Sequence, residues 1–317
     1  MKTVTLRPID PQSDFPRLAE LISTVVPEPV SAADLEDWQQ RASPQRVQQR
    51  IAALDEQGCL IGFNDAGRDS WKVAGKFWLD VTVDPAWRKQ GIGTLLYTNA
   101  LEFAQREGAT LLEAEVRDHL PASLRFAQKR DFQIDRHLFE STLHLAGFDE
   151  THFAGVIEGL EASGLRFTNL AELGETLEAR RQLYELNRRS ALHIPGRDQT
   201  YAPFEQFQQN VFAAPWYRAD GQIVALANDT WIGMTAIGYF PATNSMYNMI
   251  TGVDQPYRGR GIALALKLLA IRCARKYGAA YIRTNNDSEN APMLAVNRKL
   301  GYQPQPGKYL LLKKLEI

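Results

Sequence analysis

The sequence has 317 residues, a net charge of −1 at pH 7 and an isoelectric point near 6.5. Its composition, 44% hydrophobic and 23% charged, is typical of a globular protein, and the length suffices for two domains with separate cores. The balanced charge predicts neither a nucleic-acid partner nor a membrane surface, and no apolar run reaches the ~18 residues that a membrane helix needs.

Three further features narrow the class of protein. The N-terminal segment alternates like a strand and lacks the apolar core of a secretion signal. Cys59 and Cys273 are isolated and outside any CxxC motif, so we expect reduced, buried thiols. The histidines show no ligand spacing, so we predict no metal site. Together these features predict a cytoplasmic protein.

In the first half, hydrophobic periodicity and turn residues predict a strand, two helices, three strands, and then helix, strand, helix and strand. The predicted segments are strand 3–7, a helix opening at 10–11, helix 31–41, hairpin strands 46–54 and 59–64, strand 77–83, helix 91–107, strand 110–116, helix 121–129 and a strand region 132–145.

A helical segment at 148–163 is predicted to bridge the halves, after which the same order restarts. The segments are strand 165–169, helix 176–189, helix 204–211, hairpin strands 222–228 and 231–239, strand 245–253, a helix from 264 onward, strand 280–284, helix 291–299 and strand 308–315. Because each half has the order β-α-α-β-β-β-α-β-α-β, we predict two domains, 1–148 and 149–317.

A glycine-rich loop, Arg-Gly-Arg-Gly-Ile-Ala at 258–263, separates strand 245–253 from the helix that follows. The first turn of a helix has backbone N–H groups without partners, and the helix dipole adds partial positive charge there. The glycines lack the Cβ that would hold a ligand away from the backbone, and the two arginines add charge. This loop therefore predicts a phosphate or pyrophosphate site.

The same arrangement occurs 170 residues earlier, where Arg-Lys-Gln-Gly-Ile-Gly at 88–93 follows strand 77–83. The same offset relates Val83 to Val253 without a gap. Two such loops in the same strand–loop–helix context indicate the internal duplication of a whole domain.

Both loops resemble the (Gln/Arg)-x-x-Gly-x-(Gly/Ala) motif of the GNAT superfamily of N-acetyltransferases. The matching residues are Arg88, Gly91 and Gly93 in the first half and Arg258, Gly261 and Ala263 in the second. The resemblance covers nearly the whole chain. The chain is similar to the mycothiol synthase type, in which two GNAT domains lie in one chain. The resemblance implies an α/β fold with two tandem domains, each a mixed, mostly antiparallel sheet flanked by helices.

In the GNAT superfamily this loop binds the pyrophosphate of the co-substrate acetyl-CoA. The cofactor-binding residues that the resemblance implies are Val81, Val83, Arg88, Lys89, Gln90, Gly91, Ile92, Gly93 and Thr94 in the first half, and Ile250, Gly252, Val253, Arg258, Gly259, Arg260, Gly261, Ile262, Ala263 and Asn290 in the second.

A second family signature, an Asn, a helix and then Gly-Phe/Tyr, resembles TNNDSENAPMLAVNRKLGY, with Asn290, Gly301 and Tyr302 at the matching positions. In the first half the 170-residue offset leads to Leu120 and Asp131 instead of the Asn and the Gly. In the mycothiol synthase type the second domain performs the chemistry. We therefore predict a catalytic C-terminal domain and a degenerate N-terminal domain, which is either a scaffold or still holds the cofactor.

The family reaction is direct attack of a neutral amine on the acetyl thioester, and it needs an oxyanion donor and routes for protons. The resemblance implies that the donor is a backbone N–H among residues 250–253. A Tyr that protonates the leaving thiolate in many members corresponds to Asn297 and, in the first half, to Ala127. Neither residue can supply that proton, so the general acid is unassigned.

The family's general-base Glu falls near Tyr247 in the second half and near Phe77 in the first, although Asp80 lies close by on the strand. Our catalytic candidates are therefore Asn290 and Tyr247, with Tyr247 acting through water. Both also have a structural interpretation, because Asn is a favoured helix N-cap and Tyr247 fits a packed strand position.

The leading hypothesis is an acetyl-CoA-dependent N-acetyltransferase of a small-molecule primary amine. The alternative is a catalytically silent acyl-CoA-binding sensor or interaction protein. A nucleotide-binding dehydrogenase is disfavoured, because neither loop is GxGxxG and the halves lack alternating βαβ units. An amino sugar, an antibiotic, a polyamine and a peptide N-terminus remain open as acceptors. The oligomeric state is open too, and the tandem domains are compatible with a monomer.

Overall fold

The computed structural model describes residues 3–26, 29–194 and 199–315. In the first half of these, the elements are β1 (Thr5–Pro8), α1 (Pro11–Ser23), α2 (Ala32–Arg41), β2 (Val47–Leu54), β3 (Leu60–Arg68), β4 (Lys76–Val83), α3 (Ile92–Arg106), β5 (Leu111–Arg117), α4 (Pro121–Gln128) and β6 (Gln133–His144).

In the second half they are α5 (Val156–Ala162), β7 (Leu165–Asn169), α6 (Leu177–Leu192), α7 (Phe204–Phe207), β8 (Gln222–Ala227), β9 (Thr230–Phe240), β10 (Ser245–Val253), α8 (Ile262–Lys276), β11 (Tyr281–Asp287), α9 (Ala291–Lys299) and β12 (Gln303–Lys314). The predicted order of elements in each half is confirmed.

Two predicted helices differ in detail. Segment 148–163 is a short 3-10 turn followed by α5, because Gly155 adopts φ 80° and interrupts the helix. Segment 204–211 is one α-helical turn that continues as a π-helical turn, Gln208–Phe212. Both cysteines are free, and Cys59 is exposed at a hairpin turn rather than buried as expected.

The chain forms two units, and both have the same mixed, mostly antiparallel sheet. In the first, β1, β2, β3 and β4 pair antiparallel in that order, β4 pairs in parallel with β5, and β5 pairs antiparallel with β12. In the second, β7, β8, β9 and β10 pair antiparallel, β10 pairs in parallel with β11, and β11 pairs antiparallel with β6. The predicted fold class is confirmed.

The last strand of each half completes the sheet of the other half. The first unit runs to His137 and takes in the chain from Lys308 onward, and the second is Leu138–Gly307. This division differs from the predicted boundary at 148/149. The side chains fit the exchange: Leu311 of β12 is fully buried in the apolar core of the first unit, whereas Ser141 of β6 accepts a hydrogen bond from Asn286 in the second.

Candidate active site

The first loop joins β4 to α3 and has two residues in the left-handed region. Lys89 has φ 62°, and Gly91, at the N-cap of α3, has φ 87°. Arg88 turns back, and its Nε donates to the carbonyl of Val83 at 3.0 Å. Among the described residues, no acceptor binds the N–H groups of 89–91. The loop therefore presents free donors at a helix N-terminus, an arrangement suited to phosphate groups.

The second loop, between β10 and α8, repeats this geometry. Gly259 has φ 77° and Gly261 has φ 84°, and Nε of Arg258 donates to the carbonyl of Val253 at 2.9 Å. A Cβ on Gly261 would meet no protein atom within 4 Å. The glycine is thus required by its backbone angle and not by packing within the protein, and the space beside it is open.

The aspartate that opens each loop is held by an arginine from a helix. Arg17 of α1 forms an ion pair with Asp84, and Arg189 of α6 forms one with Asp254 at 3.1 Å. The duplication has therefore kept the supports of both loops as well as the loops themselves.

Both sheets open at the loop. In the first unit, β4 and β5 pair only over Lys76–Trp78 and then diverge. In the second, β10 and β11 pair only over Ser245–Asn248, and β10 has a bulge between Asn248 and Ile250. The divergence leaves the ends of the two parallel strands without hydrogen bonds to each other, although each still pairs with its outer neighbour. A cleft therefore opens next to each loop.

In the first unit this cleft is part of a cavity of about 780 Å³, a volume in the range of small-molecule sites. It is lined by the first loop and the adjoining start of α3, by the diverging ends of β4 and β5, and by helices α1 and α2. Residues lining these parts include Leu18, Ile22, Leu35, Trp38, Val81, Val83, Arg88, Lys89, Gly91, Gly93, Thr94, Ala114, Arg117, Phe126 and Arg130.

A charged row crosses the sheet inside this cavity: Arg50, Asp65, Asp80, Glu115 and Lys308. Strand register places Arg50 opposite Asp65, and Asp65 opposite Asp80. The Arg50 Nε donates to Asp65 at 2.7 Å, and the Lys308 Nζ donates to Glu115 at 2.6 Å. Asp80, in the middle, has no hydrogen-bond partner among the described residues. Its carboxylate is therefore the member of the charged row that is free to act on a ligand.

The surroundings of Asp80 suit a general base. Its side chain is exposed to the cavity. Desolvation by the surrounding residues, together with the neighbouring carboxylates of Asp65 and Glu115, raises the pKa of Asp80 to about 7. A carboxylate with such a pKa can accept a proton near neutral pH.

The second unit has no carboxylate at the corresponding place, where the 170-residue offset leads to Ile250. Its β10 and α8 are instead joined by a buried polar network. The Lys267 Nζ donates to Asn248 at 2.8 Å and lies 4.9 Å from the ring centre of Tyr302. Burial lowers the pKa of Lys267 to about 7. These contacts are those of a packed core.

The predicted catalytic residue Asn290 caps a helix. It is the N-cap of α9, and its Oδ1 accepts from the N–H of Met293 at 3.4 Å. Gly301, after α9, has φ 85°, and the corresponding Asp131 of the first unit has φ 66°. The first half therefore keeps the turn without the glycine. Both features of the second signature describe helix ends, so their loss does not by itself mark the first half as degenerate.

Replacing Asn290 by alanine is expected to lower the free energy of unfolding by about 1 kcal/mol through loss of the cap, with Asn290→Asp restoring most of it. Thermal or urea melts of the two variants measure this. An activity loss in Asn290→Ala that exceeds tenfold, while the melt is unchanged, would instead support the catalytic interpretation.

Tyr247 is half-buried on β10. Its ring meets Phe240 edge-on with ring centres 6.3 Å apart, and the guanidinium carbon of Arg283 lies 5.5 Å from its centre. This is a packed strand position. At the place where many family members have Tyr, Asn297 is buried and its Nδ2 donates to Asn286 at 2.6 Å.

The other predicted cofactor residues fall into four groups. Ile92, Ile262 and Val253 point into the cores. Gly252 lies against Ser190, whose Oγ would be 2.3 Å from an added Cβ. Polar side chains in and beside the loops are held by the protein: Gln90 donates to Ala86, Arg260 to Pro256, and Thr94 accepts from Arg130. Ala263 is half-buried beside the core. The loops thus offer mainly backbone groups to a ligand.

Sequence reasoning noted Asp80 but assigned it no role, and it missed Asp65, Glu115 and Lys308. The available signal was Asp80 itself, a single carboxylate within the apolar strand Phe-Trp-Leu-Asp-Val-Thr-Val. The partners could not be found from spacing, since they lie on three other strands, β3, β5 and β12.

The structure thus has two tandem units, each with a sheet that opens at a glycine-rich loop before a helix. The model of the acetyltransferase (GNAT) family matches residues 15–132 and 181–302. The chain therefore belongs to the GNAT family, and the predicted tandem architecture is confirmed. No curated protein sequence matches this chain.

Solved structures share the fold over the whole chain. The tandem GNAT protein from the clavulanic acid biosynthesis pathway superposes with a TM-score of 0.75 at 19% identity, over 98% of each chain. A GCN5-related N-acetyltransferase from Sphaerobacter thermophilus gives 0.70 at 19% identity, over 98% of this chain and 95% of its own. A glucosamine N-acetyltransferase region of a fungal multi-domain GH3 β-N-acetylglucosaminidase gives 0.76 at 17% identity, over 99% of this chain and 38% of that one.

Within residues 3–26, 29–194 and 199–315, no group of three or more His, Cys, Asp or Glu side chains is placed to hold a metal ion. No helix in the same part of the chain is long and apolar enough to cross a membrane.

Proposed function

We propose that the chain is an acetyl-CoA-dependent N-acetyltransferase of a small primary amine, and that the N-terminal unit performs the transfer. The observation that carries this proposal is the cavity, which joins the first loop to Asp80 along the diverging strands. The family supplies the donor, and the loop has the geometry for its pyrophosphate. The sequence favoured the C-terminal half instead.

Each part of the cavity has a role in this reaction. The N–H groups of 89–91 hold the pyrophosphate, and the cleft between β4 and β5 guides the acyl arm toward Asp80. Asp80 accepts a proton from the bound ammonium, and the neutral amine then attacks the thioester carbonyl. Backbone N–H groups of β4 beyond Trp78 face the oxyanion. The C–S bond breaks as the C–N bond forms, the nitrogen passes its second proton through water to the leaving thiolate, and Asp80 returns the first proton to solvent.

The second candidate keeps the chemistry in the C-terminal unit, with Asn290 and Tyr247 as the residues concerned. The bulge at Met249 favours it, because a bulge turns backbone groups out of the strand ladder next to the second loop. The third is binding of acyl-CoA without turnover by either unit.

The test is calorimetric titration with acetyl-CoA and a thiol-release assay on Gly91→Trp and Gly261→Trp. A tryptophan at either position would fill the space above the loop N–H groups. We expect Gly91→Trp to abolish turnover and binding at the first loop, and Gly261→Trp to retain turnover. The reverse result would place the chemistry in the C-terminal unit, and binding without thiol release would support the silent sensor.

Each variant has a matched control. Gly108, at the far end of α3, has φ 80° and free space around it, and Gly278 holds the same position after α8 with φ 68°. Tryptophan at these positions imposes similar backbone strain away from the loops. Gly108→Trp and Gly278→Trp are therefore expected to leave binding and turnover unchanged.

A further inference from the structure

The part of the N-terminal cavity beyond Asp80 has two unlike walls. Helix α1, the chain just after it and helix α2 form an apolar wall: Leu18, Ile22, Val25, Val26, Leu35 and Trp38. Trp38 is 43% exposed, which is unusual for so large an apolar side chain. Space bounded in this way favours an apolar ligand body, because a hydroxyl placed against this wall would lose its hydrogen bonds to water.

The opposite wall is the charged row on the sheet. Asp65 is held by Arg50, and it also accepts from the Trp78 Nε1 at 2.9 Å. Glu115 is held by Lys308. Two of the three carboxylates are thus compensated by a cation in contact, and Asp80 is left as a single site for one ammonium group.

Cations line the same cavity as that single site. Besides Arg50 and Lys308, Arg117 lines the cavity, and its Nε donates to the carbonyl of Val25 at 2.8 Å. If the amine substrate carried a second ammonium group, that group would lie next to these cations or against the apolar wall. It would find no carboxylate of the charged row that lacks a cation partner. Burying a charge without a partner is costly.

We infer that the acceptor is a primary monoamine with an apolar alkyl or aryl body, and neither a polyamine nor an amino sugar. The amine lies on Asp80, and the body lies against Trp38 and its neighbours on α1 and α2. This inference rests on the proposed function, and it goes beyond it in naming the substrate class.

The test compares amines that differ in one feature, in thiol-release assays on the full chain. Hexylamine and 1,6-diaminohexane differ in a second ammonium, and phenethylamine and glucosamine differ in the polarity of the body. We expect kcat/KM for each apolar monoamine to exceed that of its partner by about tenfold or more.

Two variants test the location of the subsite. Trp38→Ala is expected to lower kcat/KM for hexylamine while the KM for acetyl-CoA is unchanged. Trp38→Glu adds a carboxylate to the apolar wall and is expected to shift the preference toward 1,6-diaminohexane. The control is Leu95→Ala, because Leu95 is 42% exposed on α3 and does not line the cavity.

The two proposals fail in different ways. Faster turnover of 1,6-diaminohexane or glucosamine than of its apolar partner would overturn this inference and leave the acetyltransferase proposal intact. Binding of acetyl-CoA with no thiol release for any amine would overturn the proposed function itself, and the inference with it.

Discussion

Asp80→Asn is expected to lower kcat by about 10²- to 10⁴-fold, the range that general-base catalysis contributes. Asparagine has the same shape but cannot accept the amine proton. Because the proposed pyrophosphate site is the backbone of the first loop and does not include Asp80, the affinity for acetyl-CoA is expected to stay unchanged. Steady-state thiol release and calorimetry on the same preparation measure the two quantities.

The pH dependence gives a second readout. Asp80 must be ionised to act, and its pKa is raised to about 7, so turnover should rise with pH through that value and then level off. Asp80→Asn is expected to lose this rise. Because the pKa of Asp80 is higher in the folded protein than in the unfolded chain, the folded state loses stability as the pH rises from about 4 to about 7. Asparagine does not ionise, so Asp80→Asn should melt no lower than the parent at pH 8.

The control for Asp80→Asn is Glu113→Gln. Glu113 lies on β5 two residues before Glu115, pairs with Lys76 at 2.7 Å and does not line the cavity. It should keep turnover and the rise of turnover with pH. Because the charge of Glu113 contributes to the raised pKa of Asp80, that rise should move slightly toward lower pH. Full activity in Asp80→Asn would remove Asp80 from the mechanism and return attention to the C-terminal unit.

A fragment of residues 1–148 is expected to lack cooperative melting and acetyl-CoA binding, whereas a chain in which His137 is joined directly to Lys308–Leu315 is expected to have both. The reason is the exchange of strands, since the first unit needs β12 and not the end of β6. Circular dichroism melts and calorimetric titration of the two proteins measure the difference.

The side chains explain why β6 cannot replace β12. The 170-residue offset would place Glu140 where Leu310 lies, directly opposite Glu115, and like charges at such a pair destabilise a sheet. It would place Leu138 where Lys308 compensates Glu115. In the second unit, Glu140 instead pairs with Arg283 at 3.0 Å.

The core disfavours the unexchanged arrangement as well. Ser141 would take the place of Leu311, which is fully buried, and such large-to-small changes cost about 2–5 kcal/mol. If the 1–148 fragment melted as cooperatively as the fused chain and bound acetyl-CoA equally well, this account of the exchange would be wrong.

The sequence alone determined the duplication, the order of elements in each half and the two loops. All three are encoded locally: hydrophobic periodicity defines a strand or helix within some ten residues, and Gly91 and Gly261 mark left-handed positions that few other residues adopt. The family followed from these loops. The second signature is local as well, because Asn290 and Gly301 mark the two ends of α9.

Only the tertiary structure decided which strand completes which sheet, and what surrounds Asp80. Strands β6 and β12 are equivalent under the duplication, so their local patterns fit either sheet, and the choice depends on distant partners such as Glu115 and Arg283. The charged row likewise draws on five strands, from Arg50 to Lys308. Strand register brings these residues together although they are up to 258 positions apart in the sequence. The pKa of Asp80 is raised by its surroundings in the fold, including neighbouring carboxylates, and no local sequence pattern reveals those neighbours.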